Sequence, residues 1–539
     1  MAEQEEMGLR KTSDVTAIMK DEGPSVRFAP GAVAGIPWMV ATKAVLFFVY
    51  FGISIVAVRK LGKEQYGVLS LCRNVSEYLV VLCALGLNSA ILRFVPELAL
   101  TRNMAGIKRL LWKSACLQGI AVVGAIGVLW LMTPLFSQWF RVPFGSLLVI
   151  AGLLSAAQLS KDYLNDTFTS LFRSRLVSSM SFIQALLWLG LLWAGLTWRP
   201  TVGVGLGAQI VSMGLVSMVG FVLLLRFVRQ MKWRSPPLGI GRVRTLKLSS
   251  ATLFNSMFRM LMLKYTEVFF LGVYFTPSVV GVYDLGYTMP FVAMTLIPSA
   301  LQTLFTSAFA EAYSRDRDCL GRLITAVYKM LILLVIPMAA FGFFFAPRAV
   351  VLLYGETMRA SGWIASFFCV LHALPLISMP LSMAITAREK VLNMLPYMIM
   401  QVAVNLVLDY LLIPKWGIPG AVSAVALTFI VTIPIRLWAV RQILGAIHFP
   451  AAFCFRIVLS VVALAGGLSF LSPYLNLAGL FGVTVLFLAS YLVIIKKLGL
   501  INVADNDDLQ LLAIGRLGKI VRLLSRGSGT LRKSGEKSS

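Results

Sequence analysis

Residues 321–346 read GRLITAVYKMLILLVIPMAAFGFFFA, a run whose only charged residues are Arg322 and Lys329. The run is continuous rather than alternating, and it is long enough for a helix to cross the roughly 30 Å hydrocarbon core of a membrane. Water is absent from that core, so each backbone N–H and C=O must be paired inside the protein. The stretch therefore predicts a transmembrane α-helix rather than a strand of a membrane barrel.

The whole chain shares this character. Of its 539 residues, 58% are apolar and 13% are charged, and the mean hydropathy is +0.83. A soluble domain is about 45–50% apolar and about 25% charged. We predict an all-α polytopic membrane protein with about fourteen spans. They lie near 37–58, 68–95, 110–133, 144–170, 176–197, 202–226, 250–273, 279–310, 321–346, 361–386, 391–413, 418–440, 453–472 and 476–496.

The net charge of +26 indicates topology rather than nucleic-acid binding, because the basic residues cluster at the ends of the apolar runs. Seven Lys and Arg residues lie from Arg226 to Lys247, whereas 275–279 holds none. Even-numbered connections are therefore predicted to be cytoplasmic, with both termini inside. The basic residues of 59–63 on the outer side are an exception. The tail over 498–539 is predicted to be a basic amphipathic segment on the inner leaflet.

An internal repeat appears when 214 is added to the residue number. Gly67 maps to Gly281, Glu97 to Glu311, and Pro200 maps to a proline at 414. Six spans per copy give both copies the same orientation, which predicts a pseudo-two-fold axis along the membrane normal. The predicted divisions are a cytoplasmic tail at 1–34, a first repeat (the N-lobe, helices 1–6) at 35–230, a basic cytoplasmic linker at 231–249, a second repeat (the C-lobe, helices 7–12) at 250–445, two added helices at 446–497 and a basic cytoplasmic tail at 498–539.

Three stretches carry a family resemblance. Residues 59–67 read RKLGKEQYG and precede LGL at 85–87 and RFVPE at 93–97; residues 353–356 read LYGE; and Asn405 precedes LLIPKWGIPGA at 411–421. Together with the span count, these stretches make residues 35–445 similar to the polysaccharide transporter family, the Wzx-type flippases. That family lies within the superfamily of multidrug, oligosaccharidyl-lipid and polysaccharide (MOP) transporters. The glycines and prolines are mostly turn residues at helix ends.

The resemblance implies a fold and a function. It implies a MATE-like, V-shaped cavity between two six-helix lobes that opens alternately to each side. Members of the family move a polyprenyl-pyrophosphate-linked oligosaccharide to the outer leaflet for O-antigen, capsule or exopolysaccharide synthesis. The expected partners are this anionic lipid-linked cargo, membrane lipids, and a polysaccharide polymerase with its chain-length regulator. Neither a cofactor nor covalent chemistry is expected.

Charged residues inside apolar runs are the main candidates for cargo binding, because a charge at the bilayer centre costs at least about 2.5 kcal/mol. In the seventh span, Arg259 lies near the midplane and shares a helix face with Asn255. Lys264 and Glu267 are three residues apart, which favours a pair. Such cations suit a pyrophosphate, which arginine binds in a bidentate manner. A structural salt bridge between helices is the alternative.

The first two spans carry further candidates. Arg73 and Glu77 lie four residues apart in the second span, where they either line the cavity or pair structurally. Lys43 in the first span either binds cargo or extends its side chain to the inner headgroups. Asp409 is expected to be interfacial.

The eighth span carries a polar stripe. Its members fall within about 60° on a helical wheel, and they are Asp284, Thr288, Thr295, Ser299, Gln302 and Thr306. The stripe either faces water and sugar or forms hydrogen bonds between helices. Asp284 is predicted near the outer end, where it is a candidate ligand for a coupling cation.

The sequence contains no phosphate-binding Walker loop and only two histidines, so direct ATP coupling, metal sites and enzymatic catalysis are not predicted. Three other functions stay open. A lipid II flippase shares the fold and the anionic cargo. A MATE-type drug or cation antiporter is expected to have about twelve spans and an acidic cavity. A scaffold for a polysaccharide synthase would carry no cargo at all.

Overall fold

The computed structural model describes residues 30–100, 103–171, 173–230, 242–315, 317–388, 391–444 and 449–497. Throughout these ranges the chain forms helices joined by short connections, with no β-strand. The first repeat contains α1 (Pro30–Ala84), α2 (Leu87–Leu100), α3 (Met104–Phe140), α4 (Leu147–Ser170), α5 (Ser174–Trp198) and α6 (Val202–Gln230). The second contains α7 (Arg242–Leu261), α8 (Tyr265–Tyr274), α9 (Pro277–Arg315), α10 (Arg317–Tyr354), α11 (Arg359–Ile377), α12 (Met379–Ala387), α13 (Leu395–Trp416) and α14 (Ile418–Leu444). They are followed by α15 (Ala451–Ser469) and α16 (Leu477–Lys497).

By length and composition, twelve helices among the described residues could cross a membrane. This confirms a polytopic α-helical membrane protein, and two features account for the difference from fourteen. The first two predicted spans are both present in α1, as two helical segments that meet at a kink at Gly62 (φ 72°), and they are counted together as one helix. The seventh is divided into α7 and α8, neither of which is counted as a span. Most of the N-terminal tail, the first part of the basic linker (231–241) and the C-terminal tail lie outside the described residues.

The helix boundaries reproduce the internal repeat. The second part of α1 begins at position 63, after Gly62, and its counterpart α9 begins at Pro277. Helix α3 ends at Phe140 and α10 at Tyr354, which differ by the same offset. The next residues, Arg141 and Gly355, both have positive φ, 51° and 96°. Corresponding helices therefore end at corresponding residues.

The repeats meet at a reciprocal contact between Gly67 and Gly281. A Cβ atom added to Gly67 would lie 1.7 Å from the oxygen of Pro277, and one added to Gly281 would lie 2.6 Å from the oxygen of Lys63. Lys63 and Pro277 are themselves related by the repeat. Each glycine therefore contacts the carbonyl that lies four residues before the other glycine. Reciprocal contact is what a two-fold axis requires. The prediction of two parallel repeats is confirmed.

The added helices α15 and α16 have no copy in the first repeat. Ile457 and Phe487 pack against Ile332 and Ile336 of α10 in a common apolar cluster. Arg348 of α10 donates from Nε (2.8 Å) and Nη2 (2.5 Å) to the carbonyl of Leu475, which lies between the two helices. Their attachment is therefore to α10 of the second repeat.

Candidate functional site

A cavity of about 230 Å³ lies between the two repeats. The first repeat contributes one polar wall from α1, and the second contributes residues around the α7–α8 break and from α9. Aromatic side chains form much of the remaining surface. The polar residues are Ser54, Tyr66, Ser70, Arg73, Asn74, Glu77, Lys264, Asp284 and Thr288, and the aromatic ones include Phe47, Tyr50, Phe51, Trp188, Tyr265 and Tyr354.

Arg73 is the cation of the α1 wall. Its Nε donates to Gln209 Oε1 at 3.1 Å, and its guanidinium lies 5.2 Å from the ring centre of Trp188. Its Nη2 is buried without a hydrogen-bond partner, and among the described residues no carboxylate lies within ion-pair distance of it. Glu77, one turn away, accepts a hydrogen bond from Gln158 Nε2 at 3.1 Å instead. Arg73 therefore lines the cavity and keeps one buried donor without a partner.

Lys264 is the cation of the opposite wall, and its partner differs from the predicted one. The α7–α8 helix breaks at 262–264, so Lys264 precedes α8 while Glu267 lies in its first turn. The spacing of three residues therefore does not bring the two together. Lys264 Nζ instead donates to Asp284 Oδ1 and, at 2.7 Å, to Thr288 Oγ1. The predicted Lys264–Glu267 pair is wrong, and the lysine is held by α9.

Glu267 belongs to a second cluster, inside the second repeat. It is 1% exposed, and Asp409 of α13 is 0% exposed, so the prediction that Asp409 is interfacial is also wrong. Thr266 Oγ1 donates to Glu267 Oε2 at 3.2 Å, and Asn405 Nδ2 donates to Asp409 Oδ2 at 2.6 Å. Among the described residues neither carboxylate has a basic partner, so the cluster could hold a cation or a proton. Asp284, the predicted cation ligand, is occupied by Lys264.

The remaining candidates lie elsewhere. Arg259 and Asn255 are exposed on α7 and do not line the cavity. From the polar stripe, Asp284 and Thr288 line it, whereas Thr295 donates to the carbonyl of Phe291 in its own helix at 2.7 Å. The side chains of Lys43 and Gln302 lie outside the described residues.

The cavity is closed on one side by contacts that we call the outer seam, because the charge pattern predicts that this side faces outward. The seam consists of Ser54, Arg59, Tyr66 and Gly67 of the first repeat against Gly281, Asp284 and 352–354 of the second. Arg59 Nε donates to the carbonyl of Leu353 at 2.6 Å and Nη2 to that of Leu352 at 2.8 Å. These are carbonyls of the last turn of α10, where cations are favoured. Arg59, one of the basic residues on the predicted outer side, therefore has a structural role in joining the two repeats.

Two tyrosines complete the seam. Tyr66 Oη donates to Asp284 Oδ2 at 3.0 Å, and the hydroxyls of Tyr354 and Ser54 are 3.3 Å apart. Both contacts join one repeat to the other. Ser54, Tyr66, Asp284 and Tyr354 also line the cavity, so the seam and the cavity share four residues.

A sequence profile described as "Polysaccharide biosynthesis protein" matches residues 56–362, more than half of the chain. The chain belongs to this polysaccharide biosynthesis protein family. Its fold resembles that of "Lipid II flippase MurJ, inward closed conformation", with a TM-score of 0.64, 13% identity, and coverage of 84% of this chain and 97% of that one. It also resembles an inward-facing multidrug resistance MATE family transporter of the MOP superfamily, with a TM-score of 0.57, 16% identity, and coverage of 74% and 94%. No curated protein matches the chain.

The family assignment and the MOP fold confirm the resemblance found in the sequence. In this member of the polysaccharide biosynthesis protein family, the matched region contains Arg59, Tyr66, Arg73, Lys264 and Asp284. It therefore includes both cations of the cavity and much of the outer seam.

Several cavity residues of this family member are not among those predicted for the site. Trp188 and Tyr265 are aromatic residues in apolar helices, and nothing in their sequence context separates them from packing residues. Asn74, whose Nδ2 donates to the carbonyl of Tyr265 at 3.1 Å, is the exception. A polar amide next to Arg73 inside an apolar span is unusual, so the sequence alone is enough to mark Asn74 as a candidate for the cavity.

Proposed function

We propose that this chain is a flippase that carries polyprenyl-pyrophosphate-linked oligosaccharides across a bacterial inner membrane for polysaccharide synthesis. The observation that carries the proposal is Arg73, which lines a cavity between two transporter repeats and whose buried Nη2 has no hydrogen-bond partner. A buried donor without a partner is unfavourable unless a ligand satisfies it. A phosphate oxygen is the partner that a guanidinium binds best.

The rest of the cavity fits the same cargo. Lys264 supplies a second cation, and polar groups such as Ser70 and Asn74 can exchange hydrogen bonds with sugar hydroxyls. Tyr50, Trp188 and Tyr265 offer flat apolar surfaces for sugar rings. A cavity of about 230 Å³ encloses only part of an oligosaccharide, so the repeats must separate before the whole unit fits.

The membrane potential favours outward transport of an anion. A bacterial cell is negative inside, and a pyrophosphate linkage carries about two negative charges. Their transfer yields roughly 4–5 kcal/mol at about 100 mV. The potential alone is therefore enough to bias the cargo outward. A polymerase and a chain-length regulator are the partners we expect at the outer leaflet.

Transport into vesicles tests the proposal. Purified protein is reconstituted with a fluorescent polyprenyl-pyrophosphate oligosaccharide, and a membrane-impermeant enzyme reports which leaflet holds the sugar. We expect Arg73→Ala to slow transfer about ten- to a hundredfold, the worth of a charge-assisted hydrogen bond. Arg73→Lys should restore part of the rate, because the charge survives but the planar fork does not.

The matched control is Arg199→Ala. Arg199 is exposed and stacks on Trp198 at 5.2 Å, outside the cavity. Full transfer by Arg73→Ala, at equal reconstitution, would refute the site. A parallel Arg259→Ala variant tests whether the exposed face of α7 guides the anion.

Parallel assays separate the alternatives. Transfer of lipid II in preference to other lipid-linked sugars would favour the lipid II flippase. Uptake of an organic cation would favour an antiporter, and no transport of any cargo would favour a scaffold.

A further inference from the structure

The carboxylate of Asp284 connects the cavity to the outer seam. Its Oδ1 accepts from Lys264 Nζ, and its Oδ2 accepts from Tyr66 Oη at 3.0 Å. Lys264 and Asp284 belong to the second repeat, whereas Tyr66 belongs to the first. One carboxylate therefore joins a cation of the cavity to a contact that holds the repeats together.

The two members of the ion pair differ in exposure. The side chain of Lys264 is 22% exposed and that of Asp284 is 7% exposed. An ammonium has three donors, and Lys264 uses two of them, on Asp284 and Thr288. An anion in the cavity can therefore reach the lysine while the carboxylate behind it stays shielded from water.

We infer that Asp284 is the resident counter-anion of the cargo site, which the incoming pyrophosphate displaces from Lys264. This inference rests on the proposed function. A pyrophosphate carries more charge than one carboxylate, and it can interact with Lys264 and Arg73 together, because both residues line the cavity. Asp284 has no comparable second cation, because Arg73 lies outside ion-pair distance. The exchange therefore favours the cargo.

The exchange has a direct consequence for the outer seam. Without Lys264, the Asp284 carboxylate keeps only hydroxyl partners, Tyr66 and Thr288 (3.4 Å). A buried charge that has lost its counter-ion is strongly destabilising. Separation of the seam hydrates the carboxylate and relieves this penalty. Binding of the anion therefore drives opening on the outer side, and release of the anion lets Lys264 and Asp284 pair again.

Binding measurements on Asp284 variants provide the first test. Farnesyl pyrophosphate, a short soluble probe of the cargo, is titrated into purified full-length protein. We expect Asp284→Asn to bind the probe about fivefold more tightly, because it removes the competitor on Lys264. Asp284→Glu keeps the charge and should return towards the wild-type affinity. Weaker binding by Asp284→Asn in a folded protein would overturn the inference.

Distances across the seam provide the second test. Spin labels are placed at Gln65 and Thr357, two exposed positions on opposite repeats at the predicted outer side, in a variant without native cysteines. We expect the probe to lengthen this distance in the parent protein and in Asp284→Glu. In Asp284→Asn the probe should bind without changing the distance. A merely structural role for Asp284 would not separate binding from opening in this way.

If Asp284→Asn fails to fold, Tyr66→Phe provides the test in its place. Loss of the Tyr66 hydroxyl should lengthen the distance without the probe, and the probe should then lengthen it by less than in the parent protein. The control is Tyr163→Phe, which removes a 2.9 Å hydrogen bond to the carbonyl of Leu111 within the first repeat. If the parent protein does not bind the probe, the proposed function fails and the inference falls with it. If the parent binds but the distance does not respond, the inference alone is wrong.

Discussion

Replacement of Gly67 by alanine is expected to open the outer seam. A Cβ atom there would lie 1.7 Å from the oxygen of Pro277, whereas real Cβ atoms approach no closer than 3.0 Å. The two backbones must therefore move apart to make up the difference. Both are helical backbone on the two-fold axis, so no side chain can rotate away. Overpacking of this kind costs about 1–3 kcal/mol, which shifts the balance between closed and open seams about 5- to 150-fold.

Cysteine labelling measures this shift. Ser70 is buried and lines the cavity behind the seam, so Ser70→Cys in a variant without native cysteines reports seam opening. The rate of labelling by a membrane-impermeant maleimide should rise with Gly67→Ala by the same factor of about 5 to 150. Gly281→Ala should act similarly because the contact is reciprocal, and the double variant should add less than the sum of the two.

The matched control is Gly207→Ala in α6, where an added Cβ atom meets nothing within 4 Å. Alanine is a better helix former than glycine, so this variant should be neutral or stabilising. Equal labelling rates for Gly67→Ala and Gly207→Ala, in proteins that elute as intact monodisperse species, would refute the seam described above.

Three further predictions concern another seam contact, the added helices and the orientation of the chain. Arg59→Gln should raise the rate of labelling at Ser70→Cys, because the carbonyls of the last turn of α10 lose their cation. Lys60→Gln, at an exposed neighbouring position, is the control and should leave the rate unchanged. Equal rates for the two variants would remove Arg59 from the seam. Arg348→Met should speed proteolysis between α15 and α16, as mapped by mass spectrometry, because the link to Leu475 is lost; an unchanged cleavage pattern would contradict this. A fluorescent protein fused after the final residue should fluoresce, because the C-terminus is predicted to be cytoplasmic; a dark fusion beside an active periplasmic reporter would reverse the orientation.

The fold could be predicted because the membrane restricts it. Continuous apolar runs must be helical in hydrocarbon, and the constant offset between the repeats pairs Gly67 with Gly281 in the sequence itself. Charges inside such runs are rare, which is why Arg73, Lys264 and Asp284 stand out as candidates. These candidates can be selected from residue type and position in the sequence alone.

Their partners could not be predicted, because partners depend on local backbone geometry. The break at 262–264 contains neither glycine nor proline, so nothing in the sequence interrupts the helix there. An intact helix would have placed Lys264 beside Glu267. The burial of Asp409 escapes prediction because hydropathy alone does not reveal that Thr266 and Asn405 surround it. Gly62 is the contrasting case, because the first two predicted spans are present as two helical segments that meet at this glycine.

The contact between Gly67 and Gly281 also has a consequence for biosynthesis. A ribosome adds about 5–20 residues per second, so about 10–40 s pass between synthesis of the first glycine and synthesis of the second. During that interval the α1 wall has no opposite wall, and Arg73 and Glu77 face lipid or translocation machinery. The hydrogen bonds from Arg73 to Gln209 and from Gln158 to Glu77 both lie within the first repeat. They are the contacts available to hold these two charges in place until the second half of the chain has been inserted.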